Sequence, residues 1–139
     1  MFDSGVLPRQ VKEMIATVVA KHNSCRYCTQ AHSFLLRSVG GSAEAAAAAE
    51  IADIDALPVE TKYKRLLDLA AKVTQHAYRV TDEDFAELRE AALSDEEILE
   101  GVFVASLFNA INRLADTFGL YELMQLREGG AAPWLPAHP

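Results

Sequence analysis

The segment "QVKEMIATVVAKH", from Gln10 to His22, reads as a helix with almost no polar side. Val11, Ile15, Val18 and His22 fall on one face at spacings of three and four, and the opposite face carries Glu13, Ala16, Thr17 and Ala20. Only Lys12 and Lys21 look strongly solvent-seeking. Pro8 suits the first turn. A helix that is apolar nearly all round must be largely buried, which leaves only architectures in which other elements cover it.

Those other elements also read as helices, because Val and Ile occur singly rather than in strand-like alternation. Asn23 and Ser24, both good N-cap residues, are expected to stop the first helix and start a second, from about Cys25 to Val39, ended by Gly40 and Gly41. Ser42 caps a third in "SAEAAAAAE", where alanine favours helix and lets neighbouring helices approach closely. "DIDALP" leads to a fourth helix, about Val59 to Tyr78. Thr81 with Asp84 resembles a capping box ahead of "DFAELREAAL". Ser94 with Glu97 is a better one and opens a long apolar helix that Gly119 ends. A short helix to about Arg127 follows, and then the Gly/Pro-rich "GGAAPWLPAHP" with Trp134 and His138. The expected fold class is all-α: one helical bundle over residues 1–128, of about six to seven helices, and a C-terminal tail over 129–139.

A chain of 139 residues needs no disulfide to be stable. Its net charge of −7 argues against nucleic acid as a partner, since phosphate binding needs clustered Lys and Arg. No stretch approaches the roughly 20 apolar residues that span a bilayer. "MFDSGVLPRQ" lacks the basic start and apolar core of a signal peptide. No membrane partner is therefore expected, and the expected location is the cytoplasm. In that reducing compartment, two close cysteines are more often reactive or metal-binding than structural.

Cys25 and Cys28, in "SCRYCTQAH", are the only cysteines. With His32 they occupy i, i+3 and i+7 of the second helix and share one face. Cysteines so spaced at a helix start can form a disulfide, and the helix N-terminus favours the thiolate, here at Cys25. His32 lies one turn below Cys28 and can exchange protons with it. Glu13 interrupts an otherwise buried helix, so its carboxyl group should find a partner or hold a proton. If the first two helices pack antiparallel, Glu13 and His32 lie roughly two to three turns from the bend and can meet.

Each residue has a plainer reading: two cysteines as small buried hydrophobes, His32 as a structural histidine, Glu13 as a surface residue. Zinc held by both cysteines and His32, with Glu13 as fourth ligand, is a further alternative, although structural zinc usually draws on two separated segments. The four together favour redox chemistry, with no bound cofactor or metal. His22 is a candidate to line the site. Asn109, Asn112, Arg113 and Asp116 form a polar stripe on the long apolar helix, either a solvent face or a buried network at a subunit contact or near the site.

The pattern of Glu13, Cys25, Cys28 and His32 resembles the signature of the alkylhydroperoxidase D-like (AhpD-like), carboxymuconolactone decarboxylase superfamily. "KEMIATVVAKHNSCRYCTQAHS" is similar to its central helical pair, and "FNAINRLADTFG" to its peroxidase-related subgroup. The resemblance runs from about Leu7 to Tyr121. It implies an AhpD-like helical fold assembling as trimers or hexamers. It implies thiol-dependent reduction of hydroperoxides, with Cys28 attacking, Cys25 resolving, and Glu13 and His32 relaying protons. The reductant it implies is an external dithiol, lipoyl-type or thioredoxin-like. The peroxidase proper has a histidine immediately before its second cysteine, where this chain has Tyr27, whose phenol titrates near 10 and cannot shuttle protons at neutral pH. The lactone decarboxylase branch generally lacks the cysteine pair, so decarboxylation is not expected. A non-enzymatic redox sensor or disulfide-exchange protein would keep the same dithiol and stands as the competing class.

Overall fold

Caps and helix breakers divide residues 4–120, the part of the chain that the computed structural model describes, into six α-helices. They are α1 (Arg9–His22), α2 (Arg26–Ser38), α3 (Ala43–Glu50), α4 (Thr61–His76), α5 (Asp82–Glu90) and α6 (Asp95–Thr117). A single 3-10 turn, Ala77–Arg79, follows α4, so the fourth helix stops just short of the expected Tyr78. No strand occurs among the described residues. The expected short helix to Arg127, the tail with Trp134 and His138, and the division at residue 128 lie outside the described residues.

Helix α1 is the hub. Every residue from Val11 to Ala20 is buried, and α2, α3, α4 and α6 pack around it. The alanines Ala45, Ala46, Ala48 and Ala49 give α3 a flat buried face toward α1 and α2. Gly101 does the same for α6 against α4, where an added Cβ would meet the Leu66 side chain at 2.7 Å.

Most helix ends follow the expected chemistry. Ser42 Oγ accepts from Ala45 N–H at 3.1 Å. Ser94 and Glu97 exchange hydrogen bonds at 3.1 and 2.8 Å, a full capping box, and Asp84 accepts from Thr81 N–H at 2.7 Å. Gly40 and Gly119 take left-handed φ values of +90° and +74° at the ends of α2 and α6.

Two expectations change. Lys12 is not solvent-seeking: it is buried at 1% exposure, its Nζ lies 2.6 Å from Glu100 of α6, and it donates to the Ser4 carbonyl. Glu100 in turn accepts from the backbone N–H of Val6 and Leu7, both at 2.7 Å. One carboxylate thus neutralises a buried ammonium and ties the N-terminal segment to α6. Second, α6 is long and apolar enough by length and composition to cross a membrane, contrary to the expectation that no stretch is. Its buried face, Ile98, Gly101, Val104, Ala105, Phe108, Asn112 and Ala115, packs within the bundle against α1 and α4.

Truncating Glu100 removes a counter-charge from the buried Lys12 ammonium and the acceptor of the Val6 and Leu7 N–H groups. Glu100→Ala is expected to cost about 3 kcal/mol, because breaking a buried pair from one side carries the desolvation penalty of the other. Glu100→Gln, which still accepts from Val6 and Leu7, should recover part of that loss. Urea unfolding of the three proteins measures both steps; equal stability of Glu100→Ala and wild type would remove the role assigned to this pair.

Candidate active site

The bend between α1 and α2 places the two sulfurs. Ser24 adopts a left-handed φ of +60°, its N–H bonds Lys21 O at 3.0 Å, and Cys25 N–H bonds Ala20 O at 2.9 Å. This is a Schellman ending with serine where glycine is usual. Asn23 is the C-cap residue of α1 and does not cap α2. Its side chain donates instead to Asn109 Oδ1 at 3.0 Å and Asn112 Oδ1 at 2.9 Å, both on α6. The N-cap of α2 is Cys25 itself, whose Sγ accepts from Cys28 N–H at 3.4 Å.

Both cysteines are free thiols and buried, at 0% and 2% exposure. They form a small cluster with Ala20 of α1 and Ala115 of α6, against which Tyr27 and Leu120 pack, apart from the main core. Tyr27 therefore adds packing rather than an imidazole beside the pair. Burial pushes the Cys25 thiol far above the ordinary cysteine range. A hydrogen bond shared with the Cys28 side chain and one to the Asp116 side chain push the same way, while the Cys28 N–H works against them. The expected helix-dipole activation of Cys25 is thus overturned: loss of water around the sulfur outweighs the favourable end of the helix.

Glu13 is fully buried and has found partners rather than solvent. Its Oε2 lies 2.7 Å from His32 Nδ1, and its Oε1 receives Arg9 Nε at 2.8 Å and Arg9 Nη2 at 2.7 Å. Thr17 Oγ1 bonds the Glu13 carbonyl at 2.8 Å. His32 stands edge-on to Phe108 of α6, ring centroids 4.4 Å apart. Its side chain is 13% exposed, while that of Glu13 is fully buried. Cys28 and His32 are one turn apart on the same face of α2. The arrangement can therefore pass a proton between a sulfur and an imidazole whose second nitrogen is held by a carboxylate.

Of the four residues expected to form the site, Glu13 and His32 meet directly, and Cys25 and Cys28 pack in one cluster, with Cys28 one turn of α2 from His32. His22 is not among them: its Nδ1 pairs with Gln75 Nε2 of α4 at 2.7 Å. Among the described residues no group of three or more His, Cys, Asp and Glu side chains is arranged to hold a metal. The polar stripe of α6 divides: Asn112 is buried and Asn109 half-buried in a hydrogen-bonded network, while Arg113 and Asp116 are exposed. Asn109 donates to Thr74 Oγ1 and to Ala105 O, both at 3.0 Å, and Arg113 donates to Asn109 O at 2.5 Å. Arg9 is a participant that sequence reasoning did not name, although its spacing of four from Glu13 is the usual helical ion-pair spacing.

A model of the carboxymuconolactone decarboxylase family matches residues 1–61. No curated protein matches the sequence. Among solved structures, an uncharacterized peroxidase-related protein from Silicibacter sp. TM1040 is similar, with TM-score 0.77 and 29% identity, over 82% of this chain and 59% of that one. An uncharacterized peroxidase-related protein from Ralstonia eutropha JMP134, described as an alkylhydroperoxidase AhpD core, aligns with TM-score 0.76 and 28% identity over 82% of this chain and 60% of that one. This chain therefore spans about three fifths of the length of both. The helical arrangement and the matched segment agree: residues 1–61 carry the carboxymuconolactone decarboxylase family pattern, and the fold is similar to that of the AhpD-like, peroxidase-related neighbours.

Proposed function

We propose that this protein is a thiol-dependent peroxidase that reduces hydroperoxides through the Cys25–Cys28 dithiol. The observation that carries the reading is the buried Glu13–His32 pair, 2.7 Å apart, one turn along α2 from Cys28. The superfamily also includes decarboxylases; an apolar dithiol cluster beside a carboxylate–imidazole pair suits sulfur redox chemistry better.

Cys28 is the attacking sulfur. Its proton passes to His32, and the thiolate attacks one peroxide oxygen. The O–O bond breaks, Cys28 becomes a sulfenic acid, and the leaving alkoxide or hydroxide takes up the proton as alcohol or water. Cys25, held as a thiol by its burial, then attacks the Cys28 sulfur; the S–S bond forms and water leaves. An external dithiol, lipoyl-type or thioredoxin-like, reduces the disulfide by exchange and is itself oxidised. Glu13, fixed by Arg9, orients the imidazole. Burial pushes the helix-capping Cys25 thiol up, which suits the resolving role, and His32 lies one turn from Cys28, which suits the attacking role.

A homo-oligomer, trimer or hexamer, acting in the cytoplasm, completes the proposal. Its support is the outer face of α6, where Leu99, Phe103 and Leu114 are exposed at 71%, 56% and 56%. They lie on one stripe at helical spacing. Light scattering on Phe103→Glu combined with Leu114→Glu should show a smaller particle than wild type, and an unchanged mass would reject this face as the contact.

Peroxide consumption with dihydrolipoamide as reductant tests the activity. Cys28→Ala should fall to the background rate, and Cys25→Ser should oxidise once, leaving a sulfenic acid on Cys28 that dimedone traps. Dimedone adduct on Cys25 in Cys28→Ser, with none in Cys25→Ser, would reverse the roles. A wild-type protein that oxidises once and then stops, with dithiol in excess, would favour the redox sensor.

The raised Cys25 pKa has a signed consequence. Above the ordinary thiol pKa, about 8.5, the unfolded chain releases a proton that the folded chain retains, so stability of the reduced protein falls as pH rises. The slope approaches about 1.4 kcal/mol per pH unit for one group. Cys25→Ser should flatten it between about pH 8.5 and 10 in urea titrations. Identical slopes in both proteins would show that the thiol is not held protonated.

A further inference from the structure

Asn112 is fully buried on α6, and its Nδ2 is a buried side-chain donor with no hydrogen-bond partner. A buried amide N–H left unsatisfied is destabilising, and native proteins seldom retain one without a use. The surrounding network fixes which way this amide points. Asn109 Nδ2 donates to Ala105 O, a carbonyl that can only accept, so Asn109 presents Oδ1 to Asn23. Asn23 must then donate through its Nδ2, and it bonds Asn112 Oδ1 with the same group. Asn112 therefore keeps Oδ1 toward Asn23 and turns Nδ2 away from the network.

Its place on α6 says where that donor lies. Phe108 and Ala115 flank Asn112 by one turn on either side of the same buried face. Phe108 packs against His32, and Ala115 belongs to the cluster that holds Cys25 and Cys28. Helices α2 and α6 thus run in opposite senses here, with Cys28 across from Ala115 and His32 across from Phe108. Asn112 sits in register between the two contacts, beside the stretch of α2 from Cys28 to His32. Around that stretch lie the carboxylate–imidazole pair, two thiols, an aromatic edge, the Thr29 hydroxyl and the Asp116 side chain that reaches Cys25, and none of them bonds Asn112 Nδ2. An oxygen acceptor arriving from outside is what this N–H lacks.

We propose that Asn112 Nδ2 is the donor that holds the hydroperoxide oxygen during attack by Cys28. This rests on the thiol-peroxidase reading and extends it to substrate binding. Both peroxide oxygens accept hydrogen bonds, and negative charge grows on the leaving oxygen as the O–O bond breaks. A preorganised donor in a dry site stabilises that charge with little reorganisation. The substrate class follows: an unhindered hydroperoxide whose peroxy group reaches between α2 and α6, while a thiol alkylating reagent has no oxygen for Asn112 to hold at the reacting centre.

The test compares wild type with Asn112→Leu, which keeps the volume and removes the donor. The second-order rate of Cys28 oxidation by hydrogen peroxide and by tert-butyl hydroperoxide should fall by about 10²- to 10³-fold, the usual loss for one such donor. The rate of Cys28 alkylation by N-ethylmaleimide should change by less than about threefold, since that reaction makes no use of the donor. If the leucine variant does not fold, Asn112→Asp, which still accepts from Asn23, is read in the same assays and should show the same selective loss. Equal slowing of oxidation and alkylation would mean that Asn112 merely supports the packing, and unchanged oxidation would remove it from the site; either overturns the proposal. A wild-type protein that alkylates at Cys28 but does not react with either peroxide would instead overturn the peroxidase reading itself.

Discussion

Placing the Glu13 carboxylate at the centre of a bundle, with no exposed surface, costs several kcal/mol of hydration, and the rest of the site follows from how that cost is met. Two oxygens need partners. Arg9, one turn earlier on α1, supplies a fork of donors to Oε1, and His32 approaches Oε2 from α2. The second contact is possible only if α1 and α2 fold back on each other at the bend around Ser24. A buried acid thereby specifies the packing of the helix pair as well as the orientation of an imidazole. The same carboxylate that anchors the fold also decides which nitrogen of His32 is left to face the chemistry.

A second constraint comes from the bend. Ser24 bears a left-handed φ, which costs a non-glycine residue on the order of 1 kcal/mol or more. The compensation is a Schellman closure of α1 that delivers Cys25 directly to the N-cap of α2. Asn23 is released from capping α2 and reaches across to α6. The turn thus orders three things at once: the end of the central helix, the position of the first sulfur, and a hydrogen-bonded tie between α1 and α6. Strain stored beside a functional group of this kind is common where geometry has to be held against local preference.

The fold was largely legible because local and tertiary preferences agree. Caps at Ser42 and Ser94, breakers at Gly40 and Gly119, and the all-apolar α1 each point to the same helices. The meeting of Glu13 with His32 was legible too, since a helical pair and a bend determine it. Lys12 was not, because its counter-charge Glu100 lies 88 positions away and no periodicity links them. Nor was the identity of the cap on α2: by composition Asn23 and Ser24 outrank cysteine, and only the pull of Asn109 and Asn112 on Asn23 reverses that order. The stripe on α6 left two readings open because 3.6-residue spacing places residues on a face without saying what covers it. For Asn112 the answer is the bundle interior; for Arg113 and Asp116, on the same stripe, it is solvent in the single chain.

The two cysteines illustrate how magnitudes settle a conflict between principles. A helix N-terminus stabilises a thiolate by about 0.3–1 kcal/mol at an exposed position. Removing a sulfur from water, beside a second sulfur and an aspartate, opposes ionisation by more, and the direction at Cys25 is upward. Sequence spacing sees the dipole and cannot see the desolvation. Burial favours the protonated form of the capping thiol, in keeping with the resolving role proposed for it. Such a pair needs no strongly acidic thiol at rest. It needs a proton acceptor at the right distance, and the buried Glu13 is what keeps His32 in that place.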